Sequence, residues 1–113
     1  GKVTLVVFWA TWCKPCLVEI PYLNDLHETY GEQGFRVVSI LLDDPEGTKA
    51  PVFMERYGVV YPVLIDDGKT EALFGGLRAL PTNFLVGRDG KVKKRLEGLH
   101  PPATLEALVS AEL

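Results

Sequence analysis

The sequence predicts an α/β fold built on one mixed β-sheet with helices on its faces. Three observations carry this expectation. Two near-continuous apolar runs, Val3 to Trp9 and Phe35 to Leu42, have the composition of strands buried on both faces. Between them Leu17, Ile20, Leu23, Leu26 and Tyr30 recur at steps of three and four, the period of an amphipathic helix. Near the C-terminus, two strand-like segments flank Arg88-Asp89-Gly90, as in an antiparallel hairpin. The order is βαβ, then a central helical and strand insertion at about residues 44–68, then ββα, in a single domain spanning residues 1–113.

The elements follow in turn. Val3 to Trp9 is β-branched and aromatic, hence a strand. The helix after it contains Pro21, which is expected to kink it, and Gly31 is a fitting stop. A helix between two buried strands implies that the strands are parallel. Asp43-Asp44-Pro45-Glu46-Gly47 reads as a loop, and Val52, Phe53, Met54 and Tyr57 as a short helix ending at Gly58. Tyr61 to Ile65 is a short strand, with Asp66-Asp67-Gly68 as its turn. Lys69 to Phe74 forms another short helix before Gly75-Gly76. Asn83 to Val86 and Lys91 to Glu97 form the hairpin, and a final helix starts at about Thr104 with Leu105, Leu108 and Val109 facing inward.

Composition narrows the function. The chain has 113 residues, 47% of them hydrophobic, enough for a core without staples. Its net charge of −3 argues against nucleic acid as a main partner, because phosphate binding needs clustered Lys and Arg. The one basic run, Lys91 to Arg95, reads as a solvated edge strand that resists aggregation. No stretch reaches the roughly 18 apolar residues of a membrane helix. The chain enters its first strand almost at once after Gly1-Lys2, so a trimmed domain lacking a targeting or anchoring segment is expected.

The only cysteines, Cys13 and Cys16, lie in FWATWCKPC. A zinc site usually needs four ligands, and the only histidines, His27 and His100, have no paired spacing and read as surface residues. No metal is expected. A structural disulfide across two residues closes too small a loop to stabilise much. Redox chemistry fits better. Cys13 ends a strand and begins a helix, with Pro15 suited to its first turn. Free N–H groups at that terminus, with Lys14 nearby, lower a thiol pKa and mark Cys13 as the attacking nucleophile. Cys16, one turn further in, is expected to be the more buried and to resolve the mixed disulfide. Trp12 is expected to shield the pair and present a flat apolar surface to a partner.

FWATWCKPC after a buried strand, a proline five residues beyond the second cysteine, and Leu80-Pro81-Thr82 opening a later strand together resemble the thioredoxin family over essentially the whole chain. The resemblance implies the thioredoxin fold and makes Pro81 the family's cis-proline, lying against the cysteines. It also implies that the Leu80 backbone pairs with an extended partner segment, and that Trp12, Ala79, Gly98 and Leu99 line a shallow groove. The sequence departs from cytoplasmic thioredoxins in carrying Val7 where they place a buried aspartate, and in the inserted segment. WCKPC, YGVVYPVLID and LPTNFLV look like the extracytoplasmic, membrane-tethered TlpA/ResA branch. There an acidic residue after the second strand often serves the active site. Asp44 is the best match, with Asp43 and Glu46 close behind; equally, Asp43 and Asp44 could simply form the loop and cap the next helix.

The expected function is therefore a thiol–disulfide oxidoreductase, acting as a reductase through a Cys13/Cys16 dithiol–disulfide cycle. Lys14-Pro15 tunes its potential, and it needs no cofactor beyond that disulfide. The resemblance implies a disulfide-containing exported protein as substrate, with an apocytochrome c as a natural candidate, a separate thiol electron donor, and a monomer. Two rivals stand beside it: a peroxiredoxin-like thiol peroxidase, and a redox-silent binding module using the same groove.

Overall fold

The computed structural model describes all residues, Gly1–Leu113. Five strands form one sheet: β1 (Val3–Trp9), β2 (Phe35–Leu41), β3 (Val63–Ile65), β4 (Thr82–Val86) and β5 (Val92–Glu97). Their order across the sheet is β3-β2-β1-β4-β5. β2 runs parallel to both β1 and β3, whereas β4 is antiparallel to both β1 and β5. The sheet is mixed, as expected from the βαβ and ββα halves. Four helices complete the chain: α1 (Lys14–Tyr30), α2 (Lys49–Tyr57), α3 (Thr70–Leu73) and α4 (Pro102–Ala111). None is long and apolar enough to cross a membrane.

The centre of the sheet explains the apolar runs. All seven residues of β1 are buried, because strands flank both edges and other elements cover both faces. Val3, Leu5 and Val7 point to one face, where they pack with Leu23 and Leu26 of α1 and Leu105 and Val109 of α4. Val6 and Phe8 point to the other, where Phe8 meets Phe74 and Phe84 edge-on at 5.3 and 5.9 Å. The basic run does form an edge, β5, with Lys91, Lys93 and Lys94 exposed. Arg95 turns inward, its guanidinium 5.1 Å from the Phe84 ring centroid.

Three expectations need correction. Gly31 does not stop α1: it has right-handed helical torsions and opens a 3₁₀ turn, Gly31–Gln33, and Gly34 at φ 90° makes the left-handed exit. The last helix begins at Pro102, two residues early, because proline's fixed φ suits a first turn. His27 is not a plain surface residue. The strand β3 pairs with β2 only from Ser39 onward, and the N–H of Val37, short of that register, donates to His27 Nδ1 at 3.0 Å. α1 runs through Pro21, whose missing N–H leaves the Leu17 carbonyl without its usual partner four residues on.

Candidate active site

The end of β1 and the start of α1 place the cysteines. Cys13 is the N-cap of α1, extended at φ −89° and ψ 101°, with Pro15 in the first turn. Its Sγ accepts the Cys16 N–H at 3.2 Å, so a free donor of the helix terminus is spent on sulfur. The two residues are joined as a disulfide, with Cα atoms 5.3 Å apart. Both are 3% exposed, so the expected difference in burial is not present in the closed disulfide. Lys14 and Pro15 between them are exposed. Trp12 is 73% exposed and so offers its ring outward more than it covers the sulfurs.

A second loop comes alongside. The Leu80–Pro81 peptide is cis, and Leu80 packs on the cluster formed by Trp9, Ala10, Cys13 and Cys16. Two bonds fix this loop: the Thr82 hydroxyl donates to the Ala79 carbonyl, and the Gly98 N–H donates to the Pro81 carbonyl at 2.7 Å. Gly98 sits at φ 80°, a conformation that a side chain would strain. The Leu80 N–H and C=O enter no turn or loop hydrogen bond and stand free for an incoming strand.

Between the two loops lies an open cleft of about 270 Å³, lined by Trp12, Leu42, Glu71, Leu77, Arg78, Ala79 and Leu80. Trp12, Ala79 and Leu80 are among the predicted groove residues. Gly98 and Leu99 are not in the cleft; Gly98 acts on it through Pro81. Leu42, Leu77 and the charges of Glu71 and Arg78 went unpredicted, because the path that α3 and the irregular residues after it take across the sheet has no sequence period. Arg78 is held by Glu97 at 2.7 Å.

The acidic residues divide differently from the expectation. Asp44 has the capping geometry that the sequence left open as its alternative. Its carboxylate, nearly fully buried, accepts the backbone N–H groups of Thr48, Lys49 and Ala50 at 2.8–3.1 Å and so caps α2. Burial alone would raise its pKa, but the amides of Lys49, Ala50 and Thr48 outweigh that and hold it below the usual carboxylate value. Asp43 accepts from the N–H and hydroxyl of Thr11 and pairs with Lys49 at 3.5 Å, so it braces the turn before Cys13. Against the opposing effect of burial, the Thr11 bonds and Lys49 lower its pKa too. Glu46 is exposed.

The acid the sequence reading missed is Glu19. It lies one turn beyond Cys16 on the buried stripe of α1, with Ile20 and Leu23, and is fully buried. Its Oε2 accepts the Asn83 Nδ2 at 3.2 Å, and its Oε1 has no partner. Burial pushes its pKa up to about 7, with the Asn83 bond pulling the other way. The signal was in the periodicity: Cys16, Glu19, Leu23 and Leu26 share a helix face, and a glutamate on such a face is rarely buried without a task. Asn83 is the register partner of Val7, the position where a strand-borne aspartate was absent. The carboxylate enters the same layer from the helix side instead.

No three His, Cys, Asp or Glu side chains come together as a metal-ligand set. The AhpC/TSA family pattern matches residues 1–95. The chain is 39% identical over 98 residues to a thiol-disulfide oxidoreductase ResA of Geobacillus thermodenitrificans, covering 87% of this chain and 56% of that protein. It is 38% identical over 106 residues to a ResA of Bacillus anthracis, covering 94% and 61%. The chain thus spans little more than half the length of these relatives. Among solved structures, a thiol:disulfide interchange protein of the thioredoxin family from Chlorobium tepidum superposes with a TM-score of 0.90 at 29% identity, covering 99% of this chain and 80% of that one.

Proposed function

The chain belongs to the AhpC/TSA family and has the thioredoxin fold, and from that premise we propose that it is a thiol–disulfide oxidoreductase working through Cys13 and Cys16. The observation that carries the reading is the Cys13–Cys16 disulfide at the N-terminus of α1, opening beside a cleft with free backbone groups. In the reduced protein a Cys13 thiolate gains the N–H of Cys16 and the positive end of α1, both favouring the charged form. That thiolate attacks one sulfur of a partner disulfide, and the other partner sulfur leaves and takes a proton. Glu19 accepts the Cys16 proton. The Cys16 thiolate then attacks Cys13, the bond from Cys13 to the partner breaks, and the second partner sulfur takes a proton. Two electrons have passed to the partner, and the protein is left as the disulfide. A separate thiol donor resets it.

Reduction is the direction we assign, with disulfides of exported proteins as substrates, the CxxCH disulfide of an apocytochrome c among them. An extracytoplasmic, tethered setting and a monomer belong to the same proposal. Its support is the likeness to proteins named ResA and to a thiol:disulfide interchange protein. The peroxidase and redox-silent readings are not favoured, since both cysteines are present and bonded to one another. Insulin reduction tests the activity: Cys13→Ser is expected to abolish it, and a variant that kept the wild-type rate would refute the assignment. Cys16→Ala is expected to trap the partner on Cys13 as a mixed disulfide, which identifies the substrate.

A further inference from the structure

The Glu19–Asn83 contact is the only fully buried hydrogen bond between two side chains in the molecule. It spans 64 residues of sequence and ties the helix that carries the cysteines to the strand that follows Pro81. Both residues are fully buried, and two acceptors there have no partner, Glu19 Oε1 and Asn83 Oδ1. Two bare acceptors in one such pair lack a single donor, and a proton on Glu19 is that donor. An uncharged amide serves both states of a carboxyl, giving an N–H to the anion and a C=O to the acid.

Resting on the reading that Glu19 takes the Cys16 proton, we propose that Asn83 is a positioning residue for that transfer: its N–H holds the carboxylate by Oε2, leaves Oε1 free to receive the proton, and its carbonyl oxygen serves the neutral acid. The step balances. The Cys16 thiol loses its proton to Glu19 Oε1, and the electron pair left on sulfur forms the bond to Cys13. The partner sulfur departs from Cys13 with the pair of the broken bond and is protonated from water. Burial disfavours the anion, and the Asn83 bond offsets part of that. Cys16 lies one turn before Glu19 on the buried side of α1, and Tyr61, ahead of β3, is near enough to feel the Glu19 charge. Burial and the Glu19 charge raise the Tyr61 pKa, so its phenol stays neutral.

The test uses the reduced protein. The midpoint of Glu19 is followed by carboxyl ¹³C NMR, and the pH dependence of the Cys16 resolving step by single-turnover kinetics, in wild type, Asn83→Leu and Asn83→Thr. Leucine keeps the volume and removes the donor. It is expected to raise the Glu19 midpoint by about one pH unit, tenfold in the protonation constant. The rising limb of the rate moves to higher pH with it. Threonine restores a hydroxyl donor and is expected to bring both back toward wild type. Should leucine unfold the protein, Asn83→Asp takes its place, with a larger upward shift expected from the second carboxylate. An unchanged Glu19 midpoint and limb in these variants would overturn the role of Asn83. Loss of the limb in Glu19→Gln, with Asn83→Leu unmoved, places the failure at Asn83 alone. A limb that survives Glu19→Gln refutes the Glu19 reading on which it rests.

Discussion

Two acidic sites lie around the cysteines, and they are built on opposite principles. Asp43 and Asp44 follow β2 and are saturated with donors: Thr11 and Lys49 for one, three helix-terminal amides for the other. Both are held charged, with pKa values below the ordinary one. Glu19 has a single donor, no cation and no water-facing surface, and its pKa rises to about 7. The first site spends its carboxylates on structure. The second leaves one oxygen free at a pKa suited to proton exchange near neutral pH. Proximity to a loop that often carries function does not make an acid functional; what matters is whether its lone pairs are already taken.

The widest separation between the two sites is expected in stability against pH. Glu19 binds a proton more tightly in the folded chain than in the unfolded one, so its contribution falls as pH rises from 4.5 to about 7. At 1.36 kcal/mol per unit this amounts to about 3 kcal/mol. Denaturant titrations of the oxidised protein are expected to show that loss, and Glu19→Gln to remove it. Asp44 has the opposite sign. Its contribution is present above the ordinary value of 3.8 and is lost as pH falls through its lower folded value. Asp44→Ala is therefore expected to lower the melting temperature at pH 7 and to converge on wild type in acid. The smallest effect belongs to a neutral bracket. Asn24 receives the Val60 N–H and donates to the Gly58 carbonyl, tying the loop after α2 to α1. Asn24→Ala is expected to cost about 1 kcal/mol. This loss is flat across pH; a slope would mean that the contrast between the acids is not one of ionisation.

The fold was legible because its strongest signals are periodic. The seven buried residues of β1 and the Leu23, Leu26 stripe of α1 announce themselves, and the two strand pairs flanking β1 follow from the βαβ and hairpin patterns. The Cys13, Cys16, Leu80 and Pro81 positions were legible because their motifs are local. The short helix α3 was legible, but the course of residues 74–78 was not, since no period governs an irregular segment laid over a sheet. His27 was misread because its role depends on where β3 stops, a tertiary fact. The capping bonds of Asp44 and the burial of Glu19 were hidden for a related reason. A loop carboxylate and a helix carboxylate look alike in sequence, and only burial and the number of available N–H donors separate them.

The central claim is that the Cys13–Cys16 pair is served by the helix acid rather than by the loop acids. Its most direct measurement is the single-turnover rate at which Cys16 resolves a mixed disulfide on Cys13, recorded against pH in wild type, Glu19→Gln and Asp44→Asn. The account predicts a rising limb near pH 7 in wild type and in Asp44→Asn. In Glu19→Gln it predicts a rate lower by roughly 100-fold and without that limb. A normal profile in Glu19→Gln, with the limb lost in Asp44→Asn, would contradict it.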